Sequence, residues 1–205
     1  MASSQVRNPN EAISRLHVLQ FEHNPGEARE LAFLPKLLEG CDRFIDVGAN
    51  IGLYLFHANR GLSNAEILAI DANPQLVPAI EDTCHIARHD ADRGNQFLVE
   101  NCAVLDETGE IDFFVTPLLD DSSIFSSRGA ESVKISIPAR PLDDFYRPSR
   151  KTIIKMDIEG AEYRAVKSAE RFLRSNHTEF FLELHPWGDL NIHKYPELCS
   201  SLTRD

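Results

Sequence analysis

Five short apolar runs, each closed by polar residues, alternate with helical stretches along the chain. They are "RFIDV", "EILAID", "NQFLVENCAVL", "KTIIKMD" and "TEFFLELH". A run that is apolar at nearly every position reads as a strand buried on both faces, as in a parallel sheet. Strands alternating with helices in this way predict an α/β fold with a doubly wound, mostly parallel sheet. Ligands of such sheets sit at the carboxyl ends of the strands, near the point where strand order reverses. The candidate positions are therefore Asp46 to Gly52, Asp71 to Asn73, Asn101 to Ala103, Asp157 to Glu159 and Glu183 to His185.

The intervening segments fill in the plan. Residues 10–40 read as helical, with Ile13, Leu16 and Leu19 on one face and Leu31, Leu34 and Leu38 on another, Pro35 as a break and Gly40 as a stop. A helix is predicted to about Asn59, closed by Gly61, and the next carries Val77, Ile80, Cys84 and Ala87 on one face. "GEIDFFV" and "VKISIPA" alternate as half-exposed strands do, residues 118–132 are polar and turn-rich, and a single helix is expected from Ala161 to Arg174. The expected organisation is a helical extension over residues 1–40 and a ligand-binding domain over 41–205. After "FFLELHP" only a loop and one short helix from Pro196 are expected. The last strand, about Phe180 to His185, is then an open apolar edge to be covered by the N-terminal helices, by a further segment or by the same strand of a second copy, of which a homodimer is the favoured cover.

Charge narrows the partners. With 32 acidic residues against 21 Lys and Arg, the net charge is −11, the wrong sign for nucleic acid or an anionic membrane surface. The four cysteines form no CxxC pair and read as reduced thiols of a cytoplasmic protein. No stretch has the length of a signal peptide's apolar region or of a membrane span.

The densest chemical signal is "FIDVGANIGLY". Gly48 and Gly52 permit a tight turn and leave room for a ligand near the backbone. Asp71 follows 19 residues after Gly52, where a carboxylate can accept both hydroxyls of a ribose. The turn is Gly-x-Asn-x-Gly, not GxGxxG, and Asp46 precedes it. An acid there repels a pyrophosphate and attracts an ammonium or sulfonium, which favours S-adenosylmethionine over a nicotinamide dinucleotide. The cofactor contacts predicted from these positions are Asp46, Gly48, Asn50, Gly52, Asp71, Ala72, Cys102, Ala103 and Asp157. A nicotinamide-dependent oxidoreductase and a non-catalytic cofactor-binding subunit are the rival readings.

"FIDVGANIGLY", "AIDANP", "NCAVLDETGEIDFFV", "IPARPLDDF", "IIKMDIEGAEYRAV" and "FFLELHP" together resemble the FkbM family of methyltransferases over roughly residues 40 to 187. The "KMDIEGAE" block is the most particular of these. The resemblance implies a Rossmann-like class I fold, S-adenosylmethionine as methyl donor, and O-methylation of a sugar or another small-molecule hydroxyl. Asp71 stands where the family usually carries glutamate. The C-terminal antiparallel hairpin common in this fold is expected to be absent.

An alcohol acceptor must be aligned with the methyl group and must lose a proton, so a base or an acidifying metal is needed. Asp157, Glu159 and His185 are the predicted catalytic group, with His185 titrating near neutrality as the base. Asp157 and Glu159 could bind Mg²⁺ through oxygen, although no metal is expected. Ser122 and Ser123 match a serine that the resemblance places near cofactor or substrate. His85 and His89, four apart in "CHIARH", have metal-like spacing but no third ligand nearby and read as a solvated helix face.

Overall fold

In the computed structural model of this chain the described residues are 25–116, 122–125, 132–185 and 196. The expected helix over "NEAISRLHVLQF", most of the loop over 118–132, the short helix beyond Pro196 itself and the question of a terminal hairpin lie outside them. Helix α1 (Pro25–Leu37) leads into β1 (Arg43–Val47), α2 (Leu53–Gly61), β2 (Glu66–Asp71), α3 (Val77–Asp90) and β3 (Gln96–Asn101). Strands β4 (Ala103–Val104), β5 (Gly109–Val115) and β6 (Val133–Arg140) follow, then a 3₁₀ turn over Leu142–Phe145. The chain continues with β7 (Thr152–Met156), α4 (Glu162–Lys167), α5 (Glu170–Leu173) and β8 (Thr178–Leu182).

The main sheet has five parallel strands in the order β3-β2-β1-β7-β8. The fold is a Rossmann-like α/β fold, as the strand–helix alternation predicts. Every residue of β1 and β7 is buried, because both faces of the sheet are covered. On one face Phe44, Ile67 and Ile153 pack beneath Leu34, Leu55 and Ile80 of α1, α2 and α3. On the other, Ile45, Val47, Leu68 and Ile154 meet Leu142, Phe145, Val166 and Phe172. Burying one such aliphatic or aromatic side chain stabilises by ~1.5–3 kcal/mol, so these two layers dominate the fold's energetics. Among the described residues no helix is long and apolar enough to cross a membrane.

Three local expectations are corrected. Pro35 does not break α1, because it lies in the last turn and the ladder resumes at once, Leu38 N–H donating to the Leu34 carbonyl at 3.0 Å. "NQFLVENCAVL" is two strands in different sheets. The parallel partner of β3 ends at Asp71, and Ala103–Val104 pair instead with Ala139–Arg140 of β6, in a second sheet of order β4-β6-β5. The helix over Ala161–Arg174 is split into α4 and α5. The Leu142 amide donates to Ser168 Oγ at 2.8 Å and the Asp143 amide to the Ser168 carbonyl at 3.1 Å, which removes that carbonyl from a continuing helix. The Asp143 carboxylate then accepts from the Arg171 amide, at 3.0 and 2.9 Å, and restarts the helix.

Candidate functional site

The sheet runs outward from β1 to β2 and β3, then resumes on the other side of β1 with β7 and β8. A crevice therefore opens between the ends of β1 and β7, and a cavity of about 230 Å³ lies there. Gly48 and Asn50 line it from β1, Asp71, Ala72 and Asn73 from β2, and Asp157 and Glu159 from β7. Cys102 and Ala103 close its far side.

The turn after β1 is anchored to β2, the Gly48 amide donating to the Ile70 carbonyl at 2.9 Å. Gly48 has φ +77°, and a Cβ on it would stand 1.8 Å from the Asp157 carbonyl oxygen. Gly52 has φ +85°, and a Cβ there would come within 3.1 Å of Thr83 Cγ2 on α3. Both glycines thus answer to neighbouring protein. Gly48 also borders the cleft. Gly52 and Asp46 do not line it. Asp46 is fully buried beneath the turn, with Lys155 Nζ 3.8 Å from its Oδ1.

Asp71 is where the turn and the second strand converge. Its Oδ2 accepts the Asn50 amide and its Oδ1 the Asn73 amide, each at 2.8 Å. Asn50 can present that amide because it adopts φ +51°, a left-handed conformation that asparagine tolerates. Burial raises the Asp71 carboxyl to about 6, against the opposing pull of these two amides. Burial likewise pushes the Cys102 thiol up to about 11, so it lines the cleft as a neutral group.

The other end of the cleft is acidic. Parallel pairing of β7 with β8 brings Asp157, Glu159 and His185 together, although 28 residues separate the outer two. His185 Nε2 lies 3.7 Å from Asp157 Oδ1 and 3.7 Å from Glu159 Oε2. Its Nδ1 is 2.8 Å from Glu162 Oε1. Burial works to lower the pKa of this imidazole, but the Glu162 contact and the charges of Glu159 and Asp157 outweigh it and raise it to about 9. These carboxylates favour the protonated ring wherever no cation competes for Nε2. Lys155, beneath Asp157, places Nζ 3.6 Å from Asp157 Oδ2 and 4.5 Å from the Tyr54 ring centroid.

This arrangement can be set beside known proteins. The Methyltransferase FkbM domain matches residues 46–202. The chain belongs to that family. No curated protein matches it. Among solved structures, one described as "Crystal structure of a putative O-methyltransferase from Klebsiella pneumoniae" is 12% identical with a TM-score of 0.44, covering 95% of this chain and 76% of that one.

In this FkbM-domain methyltransferase, the segment expected to reach the site from the 118–132 loop does so at Ser123. Its Oγ donates to the Glu159 carbonyl at 3.0 Å, and its backbone bridges to Phe114. Ser122 and Ser123 both border the cleft. His85 and His89 are exposed on α3 and stack edge to face at 4.4 Å, a solvated pair as expected. Sequence alone does not reveal the part played by Glu162: at a helix start it reads as a favourable charge, yet it is fully buried, accepts the Gly160 amide at 3.0 Å and contacts His185. The available signal was its place between Ala161 and Ala165, which are both buried.

Proposed function

We propose that this methyltransferase moves the methyl group of S-adenosylmethionine to a hydroxyl oxygen of a small acceptor, a sugar or comparable polyhydroxy compound. The observation that carries this reading is the Asp71 carboxylate at the end of β2, oriented by two backbone amides at the edge of the cleft. A carboxylate has about four acceptor sites, and two remain for the vicinal hydroxyls of a ribose.

The residues present fit the cofactor. Asn73 Nδ2 is buried without a hydrogen-bond partner among the described residues and borders the same end of the cleft. A buried donor left in this state costs ~1–3 kcal/mol, which a ligand acceptor would relieve. Val104 and Phe113 supply apolar wall suited to a base. When bound, the cofactor supplies an electrophilic methyl on a sulfonium. Asp157 and Glu159 border the cleft at its other end and are placed to hold an acceptor hydroxyl and fix its direction. Alignment of that kind alone supplies several kcal/mol to a displacement.

The test is calorimetry with S-adenosylhomocysteine, followed by mass spectrometry of a panel of hydroxylated acceptors incubated with the donor. Binding, and a product one methyl group heavier at oxygen, is expected. Absence of binding, or methyl found only on nitrogen or carbon, defeats the reading.

A further inference from the structure

We infer that Asp157, Glu159 and His185 form a binding site for one divalent transition-metal ion, with Glu162 holding the histidine from behind. One ligand atom from each of the three lies within 4.8 Å of the others, and they are the only such group of His, Cys, Asp or Glu among the described residues. The two Nε2-to-carboxylate separations, 3.7 Å each, exceed hydrogen-bond length. They match two ligands sharing a cation, since ions bound by imidazole and carboxylate at ~2.1 Å keep neighbouring ligand atoms ~3–4 Å apart.

The support behind the ligands points the same way. Glu162 is fully buried on α4, and its Oε1 takes the Nδ1 side of the ring. A carboxylate there fixes Nδ1 as the protonated nitrogen and turns the Nε2 lone pair toward Asp157 and Glu159, the arrangement that supports histidine ligands in metal sites. Lys155 lies against Asp157 Oδ2, which leaves Oδ1 on the histidine side. The remaining Glu162 oxygen is buried with no hydrogen-bond partner among the described residues.

The position has the form of a working site. His185 is 7% exposed, while the Asp157 and Glu159 side chains keep 30% and 29% of their surface and border the cleft. Three protein ligands with an open side leave room for one more ligand. Two carboxylates with one imidazole suit Mn²⁺, Fe²⁺ or Zn²⁺ better than Mg²⁺, because nitrogen replaces an oxygen. Resting on the proposed reaction, the open side is where the acceptor hydroxyl would bind, and an ion there would make that hydroxyl more acidic.

The experiment is a Mn²⁺ titration of the full chain, stripped with chelator and dialysed, with free ion followed by electron paramagnetic resonance. One ion per chain is expected, with a dissociation constant in the micromolar range. Glu159→Gln and His185→Gln should each weaken uptake at least tenfold, and Glu162→Gln should do so ~10–100-fold through the ring it orients. Asp112→Asn, on the exposed face of β5, should leave uptake unchanged. A circular-dichroism melt identifies any variant that fails to fold. Glu159→Gln, at a partly exposed position, is the arm that keeps the fold. No saturable uptake at millimolar Mn²⁺, or uptake unaltered by Glu159→Gln, overturns the site. S-adenosylhomocysteine binding without Mn²⁺ uptake would remove the metal and leave the methyl-transfer reading. Mn²⁺ uptake without S-adenosylhomocysteine binding would do the reverse.

Discussion

Gly48 faces the Asp157 carbonyl across the crevice so closely that a methyl group on Gly48 would stand 1.8 Å from that oxygen. The contact joins the glycine turn to the acidic end of the site. Gly48→Ala must displace backbone and also occupy a left-handed φ, so it should destabilise the fold by ~1–3 kcal/mol. Urea denaturation should give a lower midpoint with an unchanged slope. An unchanged midpoint would mean that the two loops can part without cost.

If Asp71 holds the ribose as proposed, stability and ligand affinity should respond to pH in opposite senses. Its folded pKa, about 6, lies above the ordinary value of 3.8. The folded state thus holds the proton more tightly than the unfolded chain. This contribution is complete below about pH 4 and is lost as pH rises through 6, to the extent of ~3 kcal/mol. S-adenosylhomocysteine affinity should instead rise over the same interval, because ribose hydroxyls donate to the ionised form. Asp71→Asn should flatten both profiles, measured by denaturation and calorimetry from pH 4 to 8. Parallel profiles would remove Asp71 from the ligand site.

Removal of the Asp71 carboxylate altogether is the simpler test. Asp71→Ala should weaken S-adenosylhomocysteine binding at least tenfold, since hydrogen bonds to a charged group contribute ~1.5–3 kcal/mol each. The variant should remain folded, and unchanged affinity in calorimetry would show that the ribose lies elsewhere.

Ser168 tests the split helix. Its hydroxyl accepts the Leu142 amide at 2.8 Å and donates to the Ala165 carbonyl at 2.7 Å in a buried setting. Ser168→Ala orphans a buried amide and should cost ~1–3 kcal/mol in thermal or chemical denaturation. S-adenosylhomocysteine affinity should not change. A loss below ~0.5 kcal/mol would show that water or a shifted helix replaces the hydroxyl.

Glu162 and His185 should act as a unit. Their contact is buried, so Glu162→Gln and His185→Gln combined should be less damaging than the sum of the two, with a coupling of ~0.5–3 kcal/mol in a double-mutant cycle. Strict additivity would mean that the 2.8 Å contact does not contribute to stability.

Much of this architecture is legible in the chain because burial writes it locally. "RFIDV" and "TIIKM" are apolar enough to require cover on both faces, and the placement of Asp71, Asp157, Glu159 and His185 at strand ends follows from that alone. What could not be read depends on residues distant in sequence. Gly52 looks like a ligand-facing glycine until Thr83, one helix later, is found against it. Glu162 looks like a helix-start charge until strand pairing brings His185 beside it. The break at Ser168 has no local cause, since Leu142 and Asp143 impose it from another loop.

The strand order also divides the cleft between two stretches of chain. Asp71 and its amides come from residues 50–73, on the β1–β2 side of the crevice, whereas Asp157, Glu159, Glu162 and His185 all come from the β7–β8 side. On the proposed reading, substitutions after residue 150 would re-tune the acceptor end and leave Asp71 and its two amides as they are. Gly48 against Asp157 is the exception, a position where a change in either half is felt by both. On that reading, a change of acceptor would have to leave the Gly48–Asp157 contact in place.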